Sequence, residues 1–139
     1  MLSWLRRLGS QAAASTSKEC QCGDGNFDYE VVGESFYQDR LRQISAGRRE
    51  RGEQHVTFPC HLRFEINAHT HLPAICVDAS GGRTVGHFAA EQAEVYAPII
   101  REIEQSGRRA ECVAELFGGY ANRPTFGVWL DFKPSLLRA

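Results

Sequence analysis

Cys60, His61, His69, His71 and Cys76 put five donors that could hold a zinc ion into one short stretch of this 139-residue chain. Zinc needs three or four thiolates, imidazoles or carboxylates converging on one point, and sequence usually announces such sites as closely spaced ligand pairs. No Cys-x-x-Cys pair is present, and the donors would alternate between opposite faces of the strands that carry them. The residues therefore give no reason to expect a metal or another cofactor. Cys20-Gln21-Cys22 falls in what reads as a linker and looks incidental. There is no nucleophile elbow and no phosphate-cradling loop, and Asp131 is a lone strand carboxylate of the kind that caps or pairs. A non-enzymatic protein is expected.

A second kind of chemistry, stacking, is suggested by Val31-Val32-Gly33-Glu34-Ser35-Phe36-Tyr37. Valines favour a pleated, half-buried surface, glycine permits a sharp turn, and adjacent residues point to opposite faces. Tyr37, Leu41 and Ile44 share one helical stripe, which assigns Tyr37 to the core and leaves Phe36 as a platform on which a nucleobase could stack. Phosphates could be tracked by Arg40, Arg42, Arg48 and Arg49, part of an arginine cluster with Arg51 that faces only Asp39, Glu50 and Glu53. Any such attraction is local, because 16 basic and 17 acidic residues leave a formal net charge of −1. The basic residues are arginine except for Lys18 and Lys133, and guanidinium suits bidentate phosphate contacts and base stacking.

The elements that must position these residues follow from periodicity. Residues 1–26 read as a flexible tail and linker, with Leu2, Leu5 and Leu8 hinting at a short amphipathic helix; the domain spans 27–134 and residues 135–139 form a C-terminal tail. Phe27 to Gly33 reads as a strand, and the Tyr37 stripe as a helix stopped by Gly47. His55 to Ile66 alternates through Val56, Phe58, Cys60, Leu62, Phe64 and Ile66, with Pro59 marking an edge or bulge. Ala74–Val77, a Ser80-Gly81-Gly82 turn and Arg83–Phe88 form a hairpin. Ala89 to Gln105 is helical, kinked or divided at Pro98, and Ala110–Phe117 and Thr125–Phe132 are strands around a glycine-rich loop. In the last strand, Phe126, Val128, Leu130 and Phe132 share an apolar face. The expected fold class is mainly β with two helical insertions, a small OB-like antiparallel β-barrel.

Four segments in order, Val31–Tyr37, Thr84-Val85-Gly86-His87-Phe88, Glu115-Leu116-Phe117-Gly118-Gly119 and Phe126-Gly127-Val128-Trp129-Leu130-Asp131, resemble the HIRAN domain. That module occurs alone in bacteria and at the N-terminus of a SWI/SNF-type fork-remodelling DNA translocase. The resemblance covers Phe27 to Pro134. It implies an OB-like barrel with a role in DNA repair that captures the 3′ end of single-stranded DNA, stacking terminal bases on aromatics and hydrogen-bonding the 3′ hydroxyl. Phe36 matches the family's stacking aromatic, His87 a polar residue near the phosphates, and Phe126 an aromatic that closes the pocket. Ser35 and Ala90 stand where the family has Arg and Lys, which removes two phosphate contacts. The family's Asn-Pro-Tyr-Asp-x-Asn-Ala loop is here Asn67-Ala68-His69-Thr70-His71-Leu72-Pro73-Ala74, one residue longer. Aligning Asn67 gives His69 the aromatic place and Thr70 that of the aspartate. The resemblance thus implies a single-stranded DNA 3′ end as partner, with DNA-processing proteins beside it.

Two other classes stand against this reading. A protein-interaction adaptor using the barrel groove would fit the near-neutral charge and the missing basic contacts, and a metal-dependent enzyme would require bound zinc. The odd number of cysteines, five, suits reduced thiols and a cytoplasmic protein, and the N-terminus has neither a secretory signal nor a membrane span.

Overall fold

The computed structural model describes residues 19–46, 48 and 55–138. In chain order the elements are β1 (Glu19–Gln21), β2 (Tyr29–Glu30), a 3₁₀ turn (Glu34–Tyr37), α1 (Gln38–Ser45), β3 (Val56–Ile66), β4 (Pro73–Ala79), β5 (Arg83–His87), α2 (Ala90–Gln105), β6 (Arg109–Phe117), β7 (Gly127–Asp131) and a closing 3₁₀ turn (Pro134–Leu136). Strands β2-β7-β6-β3-β4-β5 lie side by side in one sheet, all antiparallel, and β1 adds to β6 in parallel. The sheet curls until its two edges meet at a single bridge, where Val32 and His87 exchange both backbone hydrogen bonds at 2.9 and 2.8 Å. This is a mainly β structure with two helices. None of the described helices is long and apolar enough to cross a membrane.

Period-two alternation gives β3 its two faces. Val56, Phe58, Cys60 and Leu62 are buried, and across the ladder they meet Ala79, Val77, Cys112, Ala114 and Leu116 in the same core. The opposite face carries His61, Arg63 and Glu65. Pro59 pairs with Val113 on β6 but lies just beyond the reach of β4, which begins its ladder at Cys60. The missing donor therefore falls where β3 has one neighbour only.

Helix α2 covers the core with Ala93, Ala97, Ile100 and Ile103 and runs unbroken through Pro98, where a division was one expectation. Pro98 is on its solvent face, so water can satisfy the Glu94 carbonyl that proline leaves without a donor. In α1 the buried residue is Leu41, fully enclosed, a burial that stabilises by about 2 kcal/mol.

Four expectations need correction. The domain does not wait until Phe27: β1 pairs Cys20 with Ala110, and Cys20 and Cys22 are buried. Asp131 explains why that segment docks, since its carboxylate accepts from the backbone N–H groups of Asp24 and Gly25 at 2.9 Å each. At the other end Leu137, expected in a tail, is buried. Tyr37 is half-buried at the sheet rim and is not a core residue. Only Tyr29–Glu30 of the expected first strand forms a ladder. The Leu2-Leu5-Leu8 pattern, Gly47, Arg49 and Arg51 lie outside the described residues.

Candidate nucleic-acid interface

Phe36 is the most exposed large apolar side chain among the described residues, 85% accessible. It is held there by its neighbours. Gly33 turns the chain at φ +80°, a left-handed conformation that disfavours side chains, and its carbonyl accepts from the Phe36 N–H at 3.2 Å. The Glu34 carboxylate accepts from the Val128 N–H at 3.1 Å. Gln38 donates from Nε2 to the Phe126 carbonyl at 2.9 Å, and its Oε1 accepts from the Phe126 N–H at 2.8 Å. Two residues of the turn region are thus pinned to β7 and the residue before it, and the aromatic between them is left exposed.

The β5 edge brings His87 to the turn that carries Ser35 and Phe36. Val32 pairs with His87 directly before the turn, and the His87 ring lies 5.9 Å from that of Tyr37. Ser35 is exposed and lines two shallow grooves, one with Arg123, Thr125 and Gly127, the other with Phe36, Asp39 and Arg40.

Phe126 is the exception: 6% exposed, it belongs to the apolar face it shares with Val128, Leu130 and Phe132 and offers no surface for stacking. The alternation read from sequence describes its burial, and its remaining surface lines the shallow groove that also holds Ser35 and Thr125.

Asn67, His69 and Thr70 sit in the β3–β4 loop, exposed, at the same end of the sheet as His87. Pro73 opens β4 three residues before Cys76, which pairs with His87, an offset of about 10 Å along the strand. The loop is organised by its own polar groups. The Asn67 side-chain oxygen accepts from the N–H groups of His69 and Thr70 at 2.8 and 3.0 Å, and the Thr70 hydroxyl accepts from Leu72 at 3.3 Å. His71 takes φ +59° to complete the turn. His69 is presented outward; Asn67 and Thr70 spend their oxygens on the loop.

The arginines suggested for phosphate are engaged within the protein. Arg40 donates to the Thr84 carbonyl at 2.7 Å and lies 5.3 Å above the Tyr37 ring, Arg42 pairs with Asp39, and Arg48 donates to the Thr57 carbonyl at 2.8 Å. Arg49 lies outside the described residues.

Pairing register also gathers residues that sequence reading kept apart. On the polar face of β3, β4 and β5, His61 faces Asp78, Arg63 faces Cys76, and Cys76 faces His87. Asp78, 1% exposed, accepts from Arg63 Nε and from the Thr84 hydroxyl, both at 2.7 Å. Arg63 reaches the other way as well, donating to Glu65 at 3.2 Å. Burial lowers the His61 pKa below its ordinary value, Arg109 and Arg63 add to that effect, and Asp78 opposes it. Beside this group a cavity of about 710 Å³ is lined by His61, Arg63, Asp78, Gly81, Arg109 and Glu111. The donors first considered for zinc are dispersed: Cys60 is buried against Cys112, His61 lines the cavity, and His69 and His71 are on the loop. Comparison with protein-family models, with curated proteins and with solved structures gives no match for this chain.

Proposed function

We propose that this protein is a non-enzymatic, HIRAN-type module with an OB-like barrel that binds the 3′ end of single-stranded DNA. The observation that carries the reading is Phe36, an almost fully exposed aromatic on a turn tied to β7 through Glu34 and Gln38. An exposed apolar ring is costly to solubility, and because Glu34 and Gln38 fix the turn beneath it, little main-chain freedom is lost when a base stacks there. His87 stands beside the turn and His69 on a loop at the same sheet end, where they can meet a sugar-phosphate backbone and a second base. With a formal net charge of −1 and with Arg40, Arg42 and Arg48 each already making one contact within the chain, affinity rests on stacking more than on phosphate contacts and declines gently with salt.

Those occupied arginines also favour a second reading, an adaptor that receives a protein segment against Phe36. Fluorescence anisotropy separates the two. The protein is titrated against a short single strand bearing a 3′ hydroxyl and against the same strand bearing a 3′ phosphate. Micromolar or tighter binding, a preference for the hydroxyl, and a loss of about 5- to 150-fold in Phe36→Ala are expected. Absence of binding to either strand at low salt refutes the DNA reading and leaves the adaptor.

A further inference from the structure

Glu65, Cys76 and His87 come from three adjacent strands, and one ligand-type atom from each lies within 4.8 Å of the other two. From these positions we propose that the three residues form a binding site for a zinc-class divalent cation, with the fourth coordination position open to solvent. No other group of three such side chains comes so close among the described residues. One thiolate, one imidazole and one carboxylate with one position left open is the ligand pattern of zinc sites that retain a water or an exogenous ligand. The donor set selects against harder ions, because calcium and magnesium prefer sites built wholly of oxygen.

The spacing suits the ion. Cys76 Sγ and Glu65 Oε2 are 3.6 Å apart, and a tetrahedral zinc with ordinary bond lengths separates a sulfur and an oxygen ligand by about 3.5 Å. Surroundings fit too. The carboxylate of Glu65 is oriented by Arg63, which donates to its other oxygen at 3.2 Å, as an outer partner should. That guanidinium is matched by the buried Asp78 at 2.7 Å, so it does not stand as an uncompensated positive charge against the cation. A thiolate and a carboxylate together balance the two charges of the ion. Cys76 is 1% exposed while the Glu65 side chain is 46% exposed, so solvent meets the group at Glu65.

In the free protein the Cys76 thiol donates to Glu65. Metal binding would release that proton to solvent and form the sulfur–metal bond in its place. The site does not depend on the DNA reading, and its test contains no DNA.

The full chain, reduced and stripped of metal, is titrated with zinc in competition with a chromophoric chelator and separately with cobalt(II). One equivalent bound at micromolar affinity or tighter is expected, with a thiolate-to-cobalt charge-transfer band. Cys76→Ser should abolish the band. Because Cys76 is buried and its replacement can disturb folding, His87→Ala and Glu65→Gln are measured beside it, each checked by circular dichroism, and each should weaken zinc by about tenfold or more. Failure of the wild type to bind zinc, or affinity unchanged in both folded variants, overturns the proposal. So does a thiolate band that persists in Cys76→Ser, which would assign the metal to the cysteines of the core.

Discussion

Replacing Asp78 by alanine removes a carboxylate that is almost wholly buried and accepts from two side chains, and the cost can be built from those partners. Breaking one side of a fully buried ion pair costs about 3–5 kcal/mol, because the remaining charge is left uncompensated. Arg63 does not meet that extreme: its side chain is 38% exposed and keeps Glu65, so water can take up part of the lost interaction. The Thr84 hydroxyl loses a charged acceptor, which adds about 1–2 kcal/mol. Together the loss should be about 2–4 kcal/mol, or a fall in Tm of roughly 4 °C per kcal/mol for a chain of this size. Urea unfolding followed by tryptophan fluorescence measures it, with the slope m checked for constancy. The double variant Asp78→Ala/Arg63→Met should regain part of the loss, since it removes the stranded charge. A cost under about 1 kcal/mol for Asp78→Ala, or strictly additive losses in the double variant, would refute the claim that this pair is a stabilising, coupled unit.

Two further outcomes follow from the same structure. Gln38→Ala removes both hydrogen bonds to the Phe126 backbone and should cost about 1–3 kcal/mol in urea unfolding while weakening DNA in anisotropy, whereas Phe36→Ala should weaken DNA with stability changed by less than about 0.5 kcal/mol. His61 carries a pH dependence of defined sign. Its folded pKa lies below the unfolded value of about 6.5, so the unfolded chain takes up the proton first as pH falls, and stability present above that pH is lost below it. Urea midpoints at about pH 7.5 and about pH 5.5 should therefore diverge more for the wild type than for His61→Gln; equal divergence would remove His61 as the cause.

Sequence reading reached the parts of this fold that repeat. The alternation from Val56 to Leu62 and the helical stripe of Ala93, Tyr96, Ile100 and Ile103, in which only Tyr96 is less than fully buried, each turn one face to the core, and a periodic pattern is visible without knowing its partner. The β1 strand had no such signature, because three residues cannot display a period and its docking depends on Asp131, far away in the chain. Tyr37 continued a helical stripe on paper, but α1 starts one residue later and the ring ends at the rim. Of the candidate site, Phe36 is exposed as expected but not for the reason read from sequence: Tyr37 is not in the core, and the turn at Gly33 presents the ring. The grouping of Glu65, Cys76 and His87 could not be read from sequence: it requires the register of two ladders and the bulge between Val77 and Asp78.

The bridge between Val32 and His87 gives the imidazole an unusual position in the mechanics of the fold. The other joints in the sheet are ladders of two to seven residue pairs, but this one is a single bridge of two hydrogen bonds, backed by Val31 packed so tightly against Gly86 that no side chain fits there. The bridge and the ring meet in one residue. A ligand on the His87 ring that bound only the bridged form, such as the cation proposed above, would stabilise the joint where the two sheet edges meet by mass action.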